Sequence, residues 1–217
     1  CKVPVVFDPR VAGSIVGHLV GAINGASIAR KTSFLKDKLG EQLFSKDIRI
    51  IDDPLRVRGL RSQTFDAEGV KVKKIALIDE GVLTTWVLDS ATARELGLVT
   101  TGHAHRGVSS SPSPGTYNLH LEPGAVTPKQ LISDIKQGFY VTDLIGSGVN
   151  GVTGDYSRGA SGFWIENGEI TYPVSEVTIA GHLLPMFKSL VAANDLEFRY
   201  GVNSPTLRIE GLTLGGR

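Results

Sequence analysis

GFWIENGEITYPV, residues 162–174, predicts a β-hairpin. Two runs of alternating apolar and polar residues flank Asn167–Gly168, a dipeptide that suits the left-handed backbone of a two-residue hairpin turn. A second hairpin is predicted over 74–89, with its turn at Asp79–Gly81. Further strands are predicted at 3–7, 48–52, 117–123, 139–146 and 206–216. Because strands outnumber helices and hairpins outnumber β-α-β units, we expect an α+β fold with a largely antiparallel mixed sheet.

Asp8–Pro9 predicts the start of a long helix, because aspartate caps helix N-termini and proline suits the first turn. We expect this helix to run to about Arg30, with its apolar residues on one half of the helical projection. The other half carries the glycines, which are Gly13, Gly17, Gly21 and Gly25. Each glycine disfavours a helix by roughly 1 kcal/mol relative to alanine. We therefore expect another backbone to pack closely against them, so that both faces of a Gly-rich helix are buried.

Three shorter helices are predicted from apolar spacing and capping residues. They cover 34–44, a segment from Thr127–Pro128 to about Gly138, and a segment from Pro185 to about Ala193. Residues 100–116 form one long irregular segment, which in a compact domain is usually functional or disordered.

Composition excludes several classes of protein. The chain has 217 residues, of which 41% are hydrophobic and 21% charged, as in a globular protein. Apolar stretches are interrupted well before the roughly 18 residues of a transmembrane helix. RVRGLR (56–61) and VKVKK (70–74) are basic clusters, but the net charge is +1, which argues against direct nucleic-acid binding. No repeat or low-complexity linker interrupts the chain, so we expect a single domain over 1–217.

Cys1 is the only cysteine, so no internal disulfide is expected and a cytoplasmic location is the default. The chain begins with cysteine rather than methionine and enters a predicted strand at once. We interpret it as a piece of a longer chain. Two alternatives are an N-terminal cysteine nucleophile that uses its own amine as base, and a lipid-anchored cysteine.

His18 lies where the apolar and glycine halves of the first helix meet, and two interpretations compete. It is either a metal ligand or a boundary residue bonded to a backbone carbonyl. A metal site needs three or more converging ligands, and this helix offers one. A second candidate metal site comes from His103 and His105, which would share one face of a strand, with His120 as a third member. Exposed loop histidines are the simpler explanation.

GDYSRGASG, residues 154–162, carries a second candidate site. A Gly/Ser-rich loop with a fixed arginine would offer backbone N–H groups and positive charge to a peptide terminus or a partner. The residues that would form this loop are Asp155, Tyr156, Ser157, Arg158, Gly159 and Ser161. Alternatively, Asp155 caps a turn and Arg158 pairs with a nearby carboxylate, with the glycines supplying tight turns.

Four long motifs resemble the TldD/PmbA family, and most closely its PmbA branch, also called TldE. They are FDPRVAGSIVGHL (7–19), LDSATARELGLVTTGHA (88–104), GVNGVTGDYSRGASGFWIENGEITYPVSEVTIAGHLLPMF (148–187) and IEGLTLGG (209–216). The resemblance covers essentially the whole chain. It implies that this is the family's C-terminal domain and that an N-terminal domain is missing.

In the TldD branch, the resemblance implies an HExxxH helix whose histidines bind zinc and whose glutamate activates water, with a cysteine as a further ligand. On this chain the first histidine of that motif falls on Gly13, the glutamate on Ser14 and the last histidine on His18. FRYGVNSPTL (198–207) has no cysteine where the branch carries one. The resemblance thus implies no catalytic residue and no metal or other cofactor in this chain, with zinc in a TldD-like partner.

The implied function is that of a non-catalytic subunit of a cytoplasmic metallopeptidase complex acting on unfolded peptides. The expected partners are a TldD-like homologous subunit and a peptide substrate, with a homodimer in isolation and no contact with nucleic acid or membrane. Two alternatives stay open. One is an autonomous metal-dependent peptidase of the same family, and the other is a pure protein-interaction module of the gyrase-modulator type.

Overall fold

The predicted Asn167–Gly168 turn joins the two longest strands of the structure, a computed structural model that describes residues 1–216. Both turn residues have positive φ, 50° and 81°, as the type I′ hairpin turn requires. Within these residues the strands are β1 (Lys2–Phe7), β2 (Ile50–Asp52), β3 (Ile75–Asp79), β4 (Val82–Leu83), β5 (Ala104–His105), β6 (Ser113–Pro114), β7 (Leu119–Leu121), β8 (Gln137–Ile145), β9 (Asp155–Glu166), β10 (Glu169–His182), β11 (Val191–Ala192), β12 (Val202–Asn203) and β13 (Leu207–Gly215). The helices are α1 (Pro9–Ala22), α2 (Gly25–Ala29), α3 (Ser90–Glu95), α4 (Pro128–Ile132) and α5 (Leu183–Ser189).

Five strands close into a small barrel in the order β1-β8-β9-β10-β13, because β1 pairs with both β8 and β13. The β1–β8 pair is parallel and the other barrel pairs are antiparallel. β1 is buried on both faces, since Val5 and Phe7 join the main core and Val6 joins a smaller cluster with Ile165. The predicted α+β class with a largely antiparallel mixed sheet is confirmed. Closure removes exposed strand edges and was not predicted.

A second sheet has the strand order β12-β7-β2-β3-β4. Its β3–β4 hairpin turns at Glu80–Gly81, within the predicted turn, but ends at Leu83 rather than near residue 89 as predicted. A two-stranded ribbon, β5–β6, lies within the otherwise irregular segment 100–116. α1 contacts β1 and β8 of the barrel and β7 and β12 of the second sheet. The first helix is therefore packed between the two sheets. Nowhere in residues 1–216 is a helix both long and apolar enough to cross a membrane.

Asp8 caps α1 as predicted, with its side chain accepting the Arg10 N–H at 3.0 Å and Pro9 in the first turn. The apolar half of the helix is buried through Ala12, Ile15, Val16, Leu19 and Ala22. This burial supplies most of the stability of a helix of this length, because short isolated helices are marginal in water.

The prediction of one helix as far as Arg30 is wrong. The backbone of Asn24 is extended, with ψ at 127°, and its side chain accepts the Ala26 N–H and so caps a second helix, α2. Gly25 then donates its N–H to the Val87 carbonyl at 2.8 Å. The first helix ends before Asn24, because Asn24 caps α2 and Gly25 donates its N–H to Val87.

The prediction of a helix over 34–44 is also wrong, since this segment forms consecutive turns. Gly40 has a φ of 80°, which a right-handed helix excludes. Ser33 accepts the Leu35 N–H and donates to the Ala22 carbonyl, which fixes the entry to the turns. Leu35 and Leu43 are nevertheless buried, so their apolar character reflects burial rather than helical periodicity.

α4 begins with the predicted cap, and Thr127 and Gln130 form a full capping box. The helix ends at Ile132 rather than near Gly138, because β8 already begins at Gln137.

α5 begins at Leu183 rather than at Pro185, because His182 is the capping residue. It ends at Ser189 rather than at Ala193, since β11 follows at once.

Replacing Asp8 tests the start of α1. Burial alone would raise the pKa of Asp8, but hydrogen bonds from Arg10 and Tyr140 outweigh it and hold the pKa below its ordinary value. Asp8→Ala is expected to lower the free energy of unfolding by about 1 kcal/mol through loss of the cap. Asp8→Asn keeps a capping side chain and should cost less, through loss of the charge.

The pH dependence has a definite sign. A carboxyl whose folded pKa is lowered stabilises the fold above its unfolded pKa of about 4, and this contribution is lost as the pH falls through the folded pKa. The difference in unfolding free energy between wild type and Asp8→Asn should therefore shrink between pH 7 and pH 3 in urea titrations. An unchanged difference would show that the Asp8 charge has no part in stability.

Candidate functional site

One face of α1 carries the three residues that align with the TldD-branch motif. Gly13 packs against β12, since a Cβ added there would lie 3.3 Å from the Val202 carbonyl oxygen. The Ser14 hydroxyl donates to the Val11 carbonyl at 2.7 Å, so it is bonded to its own helix. At the three motif positions this face therefore carries a glycine packed on the β12 backbone, a hydroxyl bonded within its own helix, and the imidazole of His18.

The same face is more open than the sequence predicted. Gly17 and Gly21 are exposed, and a Cβ added at either would meet nothing within 4 Å among residues 1–216. The expected close packing is found at Gly13, as described above, and at Gly25 in α2, where a Cβ would lie 2.9 Å from the Val87 carbonyl oxygen. We call the face formed by Gly13, Ser14, Gly17, His18 and Gly21 the α1 strip. Because Gly17 and Gly21 have no side chains, the helix backbone is accessible at these positions of the strip.

His18 lies at the edge of the α1 strip and packs against Tyr156 of β9. The two ring centroids are 5.9 Å apart at 73°, an edge-to-face arrangement. Burial, and then the nearby positive charge of Arg158, lower the pKa of His18 below its ordinary value. The ring nitrogen Nε2 is buried without a hydrogen-bond partner among residues 1–216, so the expected bond to a backbone carbonyl is not found at that atom. The contacts of His18 are those of a neutral packing residue.

Apart from Gly154, the GDYSRGASG segment is not a loop but the first two thirds of β9. Its backbone groups are used in pairing: Ser157 donates its N–H to the Gly148 carbonyl at 2.7 Å, and Arg158 and Gly159 lie in register with β10. The loop prediction was wrong because the glycines serve close strand packing. At Gly162, for example, a Cβ would lie 1.9 Å from the Tyr140 carbonyl oxygen.

Strand geometry divides the six predicted binding residues between two faces, because side chains alternate along a strand. Tyr156 is buried toward α1, whereas Asp155 and Ser157 are exposed. Burial raises the pKa of Tyr156 to about 12, so its hydroxyl stays protonated at neutral pH. Arg158 donates from Nε to the Ile145 carbonyl and makes no ion pair within residues 1–216.

Gly159 and Ser161 continue along β9 and are half-buried, in register with Ile145 and Asp143 of β8. The segment thus brings only Tyr156 and Arg158 to His18. Whether these side chains bind a peptide stays a prediction.

A cleft of about 350 Å³ opens at the N-terminal end of α1, and sequence analysis did not identify it. Asp8 and Tyr140 form one wall, where the Tyr140 hydroxyl donates to Asp8 Oδ2 at 3.0 Å. Burial, and then the neighbouring Asp8 charge, raise the pKa of Tyr140. The opposite wall comes from the segment 195–204. This segment includes part of the stretch that would carry the further cysteine ligand in the TldD branch.

Cys1 does not replace the missing ligand of that branch. It lies at the start of β1 and bonds through its amine to the Leu214 carbonyl, whereas α1 follows the other end of the strand. Six residues of β-strand at about 3.3 Å each separate the two ends by roughly 20 Å.

The histidines of the second candidate metal site do not converge. His103 precedes β5 and lies 3.1 Å from Asp52 Oδ2 through Nε2. His105 stacks on Tyr117, with ring centroids 4.6 Å apart, and His120 meets the edge of another aromatic ring. Nowhere in residues 1–216 do three or more His, Cys, Asp or Glu side chains group as a metal site requires.

Asp52 and His103 form a buried pair that sequence reasoning missed. Both side chains are almost fully inaccessible, at 0% and 1% exposure. The other ring nitrogen of His103 lies 2.9 Å from the Thr101 hydroxyl. A carboxylate, an imidazole and a hydroxyl bonded in this order are found in nucleophilic sites. However, that hydroxyl accepts the Leu88 N–H at 2.8 Å and donates to the Leu88 carbonyl. Because that hydroxyl is already bonded to the Leu88 backbone, we assign the pair a structural role, in which it holds the second sheet to the segment 100–116.

Residues 1–216 match the family model described as the PmbA/TldA metallopeptidase C-terminal domain. The chain is 42% identical over 217 residues to the metalloprotease PmbA of Escherichia coli O157:H7 and 41% identical over 219 residues to the metalloprotease PmbA homologue of Haemophilus influenzae. The alignments cover 100% and 99% of this chain but 46% of each relative. The chain therefore spans about half the length of the curated relatives it matches.

Two solved structures have the same fold. A candidate modulator of DNA gyrase from Bacteroides thetaiotaomicron superposes with a TM-score of 0.89 at 33% identity, covering 100% of this chain and 47% of that protein. TldE from Thermococcus kodakarensis superposes with a TM-score of 0.88 at 26% identity, covering 99% and 50%.

Proposed function

The chain belongs to the PmbA/TldA metallopeptidase family, and from that premise we propose that it is part of a non-catalytic, PmbA-type subunit of a cytoplasmic metallopeptidase complex. A TldD-like partner would carry the zinc and the hydrolytic chemistry. This chain would shape the chamber and hold an unfolded peptide beside the partner's site.

The main support for the proposal is the set of possible metal ligands on the α1 strip. A catalytic zinc site needs three protein ligands and an open position, and a base to activate water. The strip offers one imidazole, half-buried and packed against Tyr156, with Gly13 and Ser14 at the other motif positions. Zinc does not fit these residues, so no catalytic step is assigned to them.

The open surface of the α1 strip supports a role in holding peptide. The absence of a Cβ at Gly17 and Gly21 leaves room for another backbone to approach the helix closely. β12 borders the strip at Gly13, and β9 borders it at His18. The cleft beside Asp8 and Tyr140 extends this surface at the start of the helix.

A mixing experiment tests the proposal. The full-length protein and a homologue with an intact HExxxH motif are purified separately, combined, and assayed for cleavage of an unfolded fluorogenic peptide. We expect cleavage by the mixture and none by either chain alone. Cleavage by this protein alone would overturn the proposal.

The matched control keeps the complex but removes its chemistry, by changing the motif glutamate of the homologue to glutamine. That mixture should co-elute in gel filtration and cleave nothing.

Two other functions have one observation each in their favour. An autonomous metal-dependent peptidase is favoured by the metalloprotease name of the relatives, and it predicts cleavage without a partner. A pure interaction module is favoured by the name of a similar structure, a modulator of DNA gyrase. It predicts that no mixture cleaves peptide.

A further inference from the structure

A loop after β2 carries three arginines that the proposed chemistry does not use. Residues 54–62, which we call the basic loop, include Arg56, Arg58 and Arg61. The loop forms one wall of a second cleft, of about 300 Å³, whose other wall includes Phe198 and Tyr200. The sequence marks this stretch as a basic cluster, and the structure adds the aromatic wall.

The three guanidinium groups lack acidic partners among the residues that the structure describes. The ion pairs within 1–216 include none of these arginines. The neighbouring carboxylate of Asp53 accepts the Leu55 N–H at 3.0 Å, and Glu197 on the opposite wall pairs with Arg199. The loop therefore has more positive charge than its surroundings neutralise.

Arg56 is held with its hydrogen-bonding edge free. Its guanidinium carbon lies 3.2 Å from the centroid of the Phe198 ring, a stacked cation–π contact. Stacking uses the flat face of the guanidinium and leaves its N–H groups available at the edge. The ring of Phe198 is in turn supported by His120, with centroids 5.0 Å apart. An arginine held in this way suits the planar, two-oxygen geometry of a carboxylate.

The backbone of the basic loop is fixed by Asn118, which is 2% exposed. Its side-chain amide donates to the Asp53 carbonyl and to the Ser62 hydroxyl, both at 2.9 Å, and its oxygen accepts the Arg61 N–H at 3.0 Å. Gly59 packs so closely against this amide that a Cβ would lie 2.6 Å from it. A loop fixed before binding loses little conformational entropy on binding.

The basic cleft is continuous with the proposed peptide surface. Arg199, Tyr200 and Asn203 line both this cleft and the one beside Asp8 and Tyr140. Val202, in the middle of that wall, contacts Gly13 of the α1 strip. A chain lying on the strip and leaving at the N-terminal end of α1 would pass the basic loop.

We infer that the basic loop binds acidic side chains of the peptide that the α1 strip receives, so the protein selects peptides with an Asp- or Glu-containing segment. This inference rests on the proposed function. Leu55, Val57 and Leu60 alternate with the arginines and are 52%, 87% and 72% exposed, so they would contact apolar side chains of the same segment. A nucleic acid is disfavoured, because phosphate tracking needs an extended basic stripe and the positive charge here is confined to one loop.

Fluorescence anisotropy with the full-length protein tests this inference. The probes are a labelled acidic peptide with an amidated C-terminus and a matched peptide in which Asn and Gln replace Asp and Glu. We expect Arg56→Gln/Arg58→Gln to weaken binding of the acidic peptide by about tenfold or more, and added salt to weaken wild-type binding. The matched control, Lys71→Gln/Lys73→Gln, removes two exposed charges from the other basic cluster and should change the affinity by less than about twofold.

A second variant tests whether the double substitution weakens binding only because it disturbs the fold. Arg58 has a φ of 56°, and asparagine tolerates that conformation well. Arg58→Asn should therefore remove one charge without strain and still weaken binding several-fold. Equal affinity of wild type and both arginine variants for the acidic peptide would overturn the inference.

The remaining arms exclude other ligands. Tighter binding of the free-acid form of the neutral peptide than of the acidic amide would assign the site to a C-terminal carboxylate instead. Displacement of the acidic peptide by a single-stranded oligonucleotide at lower concentration than by unlabelled peptide would assign it to nucleic acid. Cleavage of the neutral peptide by the wild-type protein mixed with its HExxxH homologue is measured separately. A lack of cleavage there would contradict the proposed function, whatever the basic loop binds.

Discussion

Gly17→Leu/Gly21→Leu is expected to lower peptide cleavage by the mixed complex at least about a hundredfold while leaving this protein folded. Both glycines are exposed, and in the part of the chain that the structure describes an added Cβ meets no atom within 4 Å. Leucine is a better helix former than glycine, so we expect each substitution to stabilise α1 by up to about 1 kcal/mol. The two side chains would fill the space that a peptide backbone needs on the α1 strip. Because small displacements of a bound substrate cost about a hundredfold in rate, we expect at least that loss.

Gly17→Ala/Gly21→Ala is the matched control, because it gives the same gain in helix propensity with little added volume. Its thermal midpoint should rise, and cleavage by the mixture should fall much less than with leucine. Full cleavage by the leucine variant would contradict a role of the α1 strip in holding peptide.

Asp52→Ala is expected to cause a large loss of stability, because it removes one member of a buried polar pair. Asp52 is fully buried in β2 and accepts the Tyr117 N–H at 2.9 Å through Oδ2, which also lies 3.1 Å from His103 Nε2. Alanine would leave both nitrogens buried without this partner. Removing one member of a buried charged or strongly polar pair costs about 3–5 kcal/mol. Urea unfolding followed by circular dichroism measures the change.

Asp79→Ala is the control, since Asp79 pairs with Arg49 at 2.7 Å but is 47% exposed. An exposed ion pair contributes less than about 1 kcal/mol. Similar losses for the two variants would show that the buried pair has no special part in holding the second sheet.

Local sequence signals predicted much of the fold. Asn167–Gly168 fixed the main hairpin because its turn needs positive φ at both positions, and Asp8–Pro9 fixed the start of α1. Apolar spacing predicted a helix over 34–44 incorrectly, because Leu35 and Leu43 are buried from turns. Barrel closure depends on β1 pairing with β8 and β13, and no local pattern encodes pairing between such distant segments.

In the candidate site too, local features could be predicted from the sequence and distant contacts could not. The residues aligned with the TldD-branch motif could be read from the sequence, and the structure places them together on α1. The openness of Gly17 and Gly21 could not be predicted, because it depends on which elements leave that face uncovered. Asp52 lies 51 residues from His103, so their pairing had no sequence signal. The basic cluster at 56–61 was visible, but its stacking on Phe198 was not.

The zinc content of the full-length protein distinguishes a non-catalytic subunit from an autonomous metallopeptidase. The protein is expressed without its homologue, dialysed against metal-free buffer, and measured by inductively coupled plasma mass spectrometry. A non-catalytic subunit with one half-buried imidazole and no further ligands on the α1 strip should hold no stoichiometric zinc. One tightly bound zinc per chain that is lost in His18→Gln would show that His18 is a metal ligand and that this chain is not a non-catalytic subunit.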